Sequence, residues 1–326
     1  MYDFSDAFEH IEAGPAEAEP DLLIRRAEAF DRGLDADDIK RRLARGDWLQ
    51  IRRGVYVRAP AVTDLTPQKH HRLRIAAAIP QLDGQYVVSH LSAACLHGLE
   101  LLRVPGRTVQ VTNPGAGSGH RRRSLQTFCA KIDPDEITTV DGYSVTTVAR
   151  TIVDLARTCG FEQGVVAADH ALRSGGVTRE ALERSAHLAR RRSGIRTAHQ
   201  VIAFADACAE SAGESRSRVL MAREGLPRPE LQFPIMGRAR VPIARTDFCW
   251  PGSRTVGEFD GAEKYGRKRR PGQQAGDAVF QEKLREDRIR DLGFTVVRWT
   301  WAELDDPPAL ADKIRRALVR GTHLAS

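Results

Sequence analysis

A chain of 326 residues with 41% hydrophobic and 29% charged content is longer than one average domain and can bury an ordinary core in each of two or three. Its 50 lysines and arginines against 43 aspartates and glutamates leave a formal charge of +7, which suits a polyanionic partner, while 6% aromatic content argues against a β-rich binding module. Five scattered cysteines (Cys95, Cys129, Cys159, Cys208 and Cys249) without a C-x-x-C pair argue against a disulfide framework or a zinc finger. An acidic N-terminus, and no apolar run near the roughly 18 residues of a membrane span, point to a cytoplasmic protein with no membrane partner.

Residues 1–20 read as an acidic leader ending at Pro20. Leu22, Leu23, Ala27 and Phe30 recur at helical spacing up to Gly33, and Asp35 can cap a second helix that runs through Ile39 and Leu43 to Gly46. Two β-rich runs, 48–51 and 55–57, flank Arg52-Arg53-Gly54. The order is helix, turn, helix, hairpin, that of a winged helix-turn-helix over 21–60. Lys40, Arg41, Arg42 and Arg45 oppose the apolar side of the second helix, a basic face of a size that enters a major groove of double-stranded DNA. Arg52 and Arg53 at the hairpin tip suit a minor groove. A solvated charged helix fits the same pattern.

Across 61–210 the pattern predicts a helix over 89–102 and strands over 109–112 and 125–128, with a flexible basic loop between the strands. Helices follow over 147–158, 161–173, 178–192 and 195–210, punctuated by Gly175-Gly176 and Gly194. Ser89-His90 and His97 invite a nucleophile or metal reading, but caps and packed histidines are commoner and no carboxylate orients either ring. Gly115-x-Gly117-x-Gly119 opens no helix, so it is not a dinucleotide fingerprint.

From residue 211 the character changes. A helix over 214–224 precedes strands over 230–236, 244–250 and 255–260, a polar loop over 261–277, a helix over 278–292, a strand over 294–299 and a helix over 307–319. A short hairpin turning at Pro251-Gly252 would bring Asp247 and Glu258 to neighbouring strands, and alternation sets Glu258 and Asp260 on one side of their strand. Three carboxylates on one rim suit Mg2+ or Mn2+, which can generate hydroxide and offset charge on a phosphodiester transition state. Lys264 follows in the loop and could support the attacking water. Ordinary strand-end acids fit these positions as well.

Asp247 followed by Glu258-x-Asp260 resembles the core of the PD-(D/E)XK nucleases, in their very-short-patch-repair-like branch. Glu282-Lys283-Leu284-Arg285-Glu286-Asp287-Arg288 and the run 292–301, Leu-Gly-Phe-Thr-Val-Val-Arg-Trp-Thr-Trp, extend the likeness over roughly 211–320. Glu214 matches the helix-borne acid that often opens such a core. The resemblance implies metal ligation by Asp247, Glu258 and Asp260, transition-state support from Lys264 or Lys283, and an accessory Glu214. Asp260 departs from the family, standing where its lysine is usual, which leaves open a domain that keeps the fold without cleavage.

The run 43–56, Leu-Ala-Arg-Gly-Asp-Trp-Leu-Gln-Ile-Arg-Arg-Gly-Val-Tyr, resembles the N-terminal winged helix of the AbiEi-type antitoxins, and 89–99 and 145–155 look like that family's next blocks. The likeness covers most of 21–170 and implies transcriptional self-regulation and a toxin protein as partner.

The sequence therefore predicts an α/β multidomain chain: a leader (1–20), a winged helix-turn-helix (21–60), an α+β middle domain (61–210) and a restriction-endonuclease-like α/β domain (211–326). Two functions stay open, a Mg2+-dependent DNA endonuclease and a non-enzymatic antitoxin-like regulator, and so does a homo-oligomer. Carboxylates converging on one point favour the enzyme; arginines filling the pocket favour the regulator.

Overall fold

The computed structural model describes residues 22–115, 119–122, 124–237, 241–261 and 275–325. The acidic leader, Gly117, Lys264 and most of the 261–277 loop lie outside them. Among the described residues the chain is mixed α/β, with eleven helices and three sheets. Contacts gather these residues into two units, within Met1–His97 with Val104–Thr146 and within Gly98–Arg103 with Thr147–Ser326. The expected divisions at 60/61 and 210/211 each fall inside a unit.

The first unit opens with a short strand where sequence spacing predicts a helix. β1 (Leu23–Arg25) precedes α1 (Arg26–Asp31). Then come α2 (Ala36–Arg45), β2 (Trp48–Arg52) and β3 (Val55–Arg58). β1 lies antiparallel to β3 with Leu23 opposite Val57 and Ile24 opposite Tyr56, giving a sheet of order β1-β3-β2. The pleat sends Leu23 and Ile24 into two different apolar clusters. Local spacing could not reveal this, because the partner strand lies well along the chain, beyond both helices. α2 forms as expected. Asp35 caps it by accepting the Asp38 N–H at 2.6 Å, and Gly46 ends it at φ +77, a left-handed conformation that a side chain disfavours.

Next come α3 (Pro67–Ala78), β4 (Val87–Val88) and α4 (His90–Leu96). β5 (Val109–Asn113), β6 (His120–Arg122), β7 (Leu125–Cys129), β8 (Ile137–Val140) and β9 (Tyr143–Thr146) complete the unit. The sheet order is β6-β7-β5-β4-β9-β8. α4 is shorter than the predicted 89–102, since Gly98 turns the chain at φ +66. Part of the predicted basic loop is instead β6, paired antiparallel with β7. Its three residues are all exposed, so no alternation marks it in the sequence.

The second unit contains α5 (Val148–Cys159), α6 (Phe161–Arg173), α7 (Arg179–Leu188) and α8 (Ile195–Phe204), close to the four predicted helices. α9 (Ala212–Arg223) follows, then β10 (Glu230–Met236), β11 (Pro242–Trp250) and β12 (Thr255–Asp260). α10 (Ala275–Asp291), β13 (Thr295–Thr300) and α11 (Pro307–Ala325) end the chain. The sheet order is β10-β11-β12-β13, with β12 and β13 parallel and the other pairs antiparallel. Phe248, Phe259 and Trp299 lie on one face with Leu220 of α9 and Leu310 and Ile314 of α11. Cys249 and Val256 lie on the other with Ile289 of α10.

Candidate nucleic-acid interface and carboxylate cluster

On α2 the inward positions Ile39 and Leu43 pack against Trp48 and Tyr56. Lys40, Arg41, Arg42 and Arg45 are all exposed. Arg41 pairs with Asp38 one turn back, and Arg42 lies over the Trp48 ring, 5.2 Å from its centroid. Arg53 is exposed at the hairpin turn. Arg52 is not free to reach outwards: its Nε donates to Gln81 Oε1 at 2.9 Å and its Nη1 to Ser124 Oγ at 3.4 Å. Burial lowers its pKa from the ordinary arginine value.

In the second unit Phe248 pairs with Gly257, so Asp247 and Glu258 come next in the antiparallel register, on the neighbouring strands that the sequence predicts. Alternation carries Asp247 with Cys249 and Glu258 with Val256 onto the face that α10 covers. Asp247 Oδ2 accepts the main-chain N–H of Phe259 at 2.9 Å. Glu258 is 2% exposed and lies opposite Arg298 in the parallel register with β13. Arg285 of α10 reaches Glu258 Oε1 at 2.7 Å, and Arg298 reaches Glu258 Oε2 at 2.8 Å. Arg298 also stands 3.6 Å from Asp260 Oδ1 and 3.0 Å from Glu286 Oε2. Glu258 and Asp260 thus share a side of their strand, and an arginine bridges them.

Glu214 rises from α9, whose Leu220 packs on the opposite face of the sheet. Its oxygens accept the Glu210 N–H (2.8 Å), Ser211 Oγ (2.9 Å) and Gln232 Nε2 (2.9 Å). Burial, with the Asp247 charge nearby, pushes its carboxyl up to about 7. Ser211-x-x-Glu214 is also the spacing of a helix-capping pair, and Ser211 Oγ accepts the Glu214 N–H at 3.2 Å. Lys283 is exposed on α10. Among the described residues no group of three or more His, Cys, Asp or Glu side chains could hold a metal ion.

Sequence reasoning assigns Arg285 and Arg298 no part in this cluster. A signal for Arg298 is nonetheless there, a lone charge within the otherwise apolar run Val296-Val297-Arg298-Trp299, where burial demands a counter-charge. Trp299 is in the core and donates its indole N–H to Ser217 Oγ at 2.8 Å, while Trp301 is 37% exposed. The histidines expected to be packing residues are held by neighbours. His90 Nδ1 lies 2.9 Å from Ser89 Oγ and its ring stacks on Phe128, and His97 Nε2 lies 2.7 Å from the Thr146 carbonyl.

Residues 86–203 match the AbiEi antitoxin C-terminal domain, a stretch from the strand before α4 almost to the end of α8. That match starts later and runs further than the 21–170 expected from the sequence. The chain is also 31% identical over 249 residues to the uncharacterized proteins MT2308 and Rv2248 of Mycobacterium tuberculosis (strains CDC 1551 / Oshkosh and ATCC 25618 / H37Rv), covering 76% of this chain and 86% of each relative. The chain belongs to the family of these mycobacterial proteins. The crystal structure of the RV2827C protein from Mycobacterium tuberculosis is similar at 16% identity with a TM-score of 0.37, covering 60% of this chain and 75% of that one. Among the described residues no helix is long and apolar enough to cross a membrane.

Proposed function

We propose that this protein is a DNA-binding regulator of the antitoxin type, with a toxin protein as its partner and no hydrolytic role for its C-terminal region. The observation that carries this reading is the match of 86–203 to an antitoxin domain. The order β1-α1-α2-β2-β3 supports a winged helix in front of that domain. In this reading α2 lies in the major groove, Lys40, Arg41, Arg42 and Arg45 meet phosphates and base edges, and Arg53 reaches the minor groove. Arg52 braces the hairpin through Gln81 and Ser124. Its role is therefore to hold the wing, not to touch DNA.

The endonuclease reading draws on the PD-(D/E)XK resemblance of 211–320 and on the hairpin that brings Asp247 beside Glu258. The two arginines on Glu258 weigh against it. The deciding experiment is a mobility-shift titration of the full chain on duplex DNA from upstream of its own coding sequence, over a series of salt concentrations. Lys40→Ala with Arg45→Ala should weaken binding and reduce the slope of log K against log salt by about two, one for each phosphate left without its cation. Affinity and slope equal to wild type would remove α2 from the interface.

A further inference from the structure

The resemblance to PD-(D/E)XK nucleases implies a divalent ion held by Asp247, Glu258 and Asp260, and the side chains present do not fit one. Carboxylates that bind such an ion must turn lone pairs to a common point. Each oxygen of Glu258 is met by a guanidinium nitrogen instead, Arg285 Nη2 at 2.7 Å and Arg298 Nη2 at 2.8 Å. Asp247 Oδ2 is turned to the Phe259 N–H at 2.9 Å. Arg298 extends the set to Asp260 and Glu286. A dication at Glu258 would stand against two fixed positive charges at contact distance. A carboxylate only 2% exposed is costly to bury unless it is paired and hydrogen-bonded. Arginine suits that task, because its planar fork stays charged at any pH a folded protein meets and can span two carboxylates.

We propose that Arg285 and Arg298 are the resident cations of this face of the sheet, tying α10, β12 and β13 together through Glu258 where the resembling nucleases hold a metal. The region is a metal-independent ion-pair network. Arg298 belongs to β13 and Arg285 to α10, so one buried carboxylate fastens three elements that follow one another along the chain. The inference stands on these ion pairs alone and holds whether or not α2 binds DNA.

Glutamine substitution separates the two possibilities. In a metal centre without its ion, Glu258→Gln removes like-charge repulsion and leaves the protein no less stable. In an ion-pair network it leaves two guanidinium groups without their shared partner, and stability falls. The experiment is thermal unfolding of the full chain as wild type, Glu258→Gln and Arg298→Gln, each with chelator and with Mn2+. The wild-type midpoint should be the same in both conditions. Both variants should melt lower than wild type in chelator, by on the order of 5 °C or more. A wild-type midpoint raised by Mn2+, or a Glu258→Gln protein as stable as wild type in chelator, overturns the proposal. Should the variants fail to fold, paramagnetic resonance of Mn2+ with the wild-type chain decides alone. An undiminished free-ion signal supports the network, and saturable uptake of one ion per chain overturns it.

Discussion

His71 shows how a single residue can make the first unit sensitive to acid. It is fully buried, with Nδ1 3.2 Å from the Gly106 carbonyl and Nε2 2.8 Å from Ser92 Oγ. Burial drives its pKa from 6.5 down to about 4, only partly offset by the Gly106 contact. Above pH 6.5 the ring is neutral in both folded and unfolded chains and costs nothing. As pH falls from 6.5 towards 4 the unfolded chain takes up a proton that the folded one refuses, so stability drops. The full loss, about 3 kcal/mol at most, is reached below pH 4. Burial also lowers the pKa of His97, which acts in the same direction. Urea unfolding at pH 7 and pH 5 checks this: wild type should lose stability between them, and His71→Asn should lose less. Equal losses would mean that His71 does not titrate in this window.

At the scale of elements, the β10–β13 sheet is closed by glycines that let strands and helix approach. A Cβ on Gly257 would lie 2.6 Å from the Trp299 ring, and one on Gly213 at the start of α9 would collide with the Phe259 ring. Trp299 cannot swing aside without losing its bond to Ser217. Gly257→Ala should therefore destabilise the chain by about 1–3 kcal/mol, the usual range for overpacking a filled core. Gly252, in the turn between β11 and β12, has nothing within 4 Å of where a Cβ would stand, so Gly252→Ala is the control. Chemical denaturation gives both numbers, and a Gly257→Ala midpoint equal to that of Gly252→Ala would show that the sheet can yield there.

At the scale of the molecule, the second unit joins two kinds of architecture, the α5–α8 helices and the β10–β13 sheet, through α9. Asp169 of α6 is the buried pivot: it accepts Arg218 Nη1 and Ser215 Oγ of α9, each at 2.7 Å, and the Asp206 N–H at 2.8 Å. Arg218 Nη2 also donates to the Phe204 carbonyl at the end of α8, at 2.7 Å. Arg218→Ala leaves the Asp169 carboxylate buried without its cation, which should cost about 3–5 kcal/mol. Hydrogen exchange on the full chain should then quicken in α6, α8 and α9 together, while β5, β7 and β9 of the other unit keep their protection. Faster exchange spread evenly over both units would show that they unfold as one.

Local chemistry alone was enough to read α2 between Asp35 and Gly46, the α5–α8 helices and the β11–β12 hairpin. Caps, periodicity and turn residues act within a few positions of one another. The same reasoning located Asp247 beside Glu258 and set Asp260 on the side of Glu258, because a hairpin register is short-range. It missed β1, because Leu23 falls into a helical spacing with Ala27 and Phe30 while its backbone pairs with β3. It missed α3, where Pro67–Ala78 carries little amphipathic pattern, and the exposed strand β6. Above all it could not see what Glu258 meets. Arg298 faces that carboxylate only because β12 and β13 run parallel, and Arg285 only because α10 crosses back over the same face. Sequence determined which charges the chain carries and which strands bear them; the long-range pairing of strands decided that a candidate metal ligand is instead clasped by two arginines.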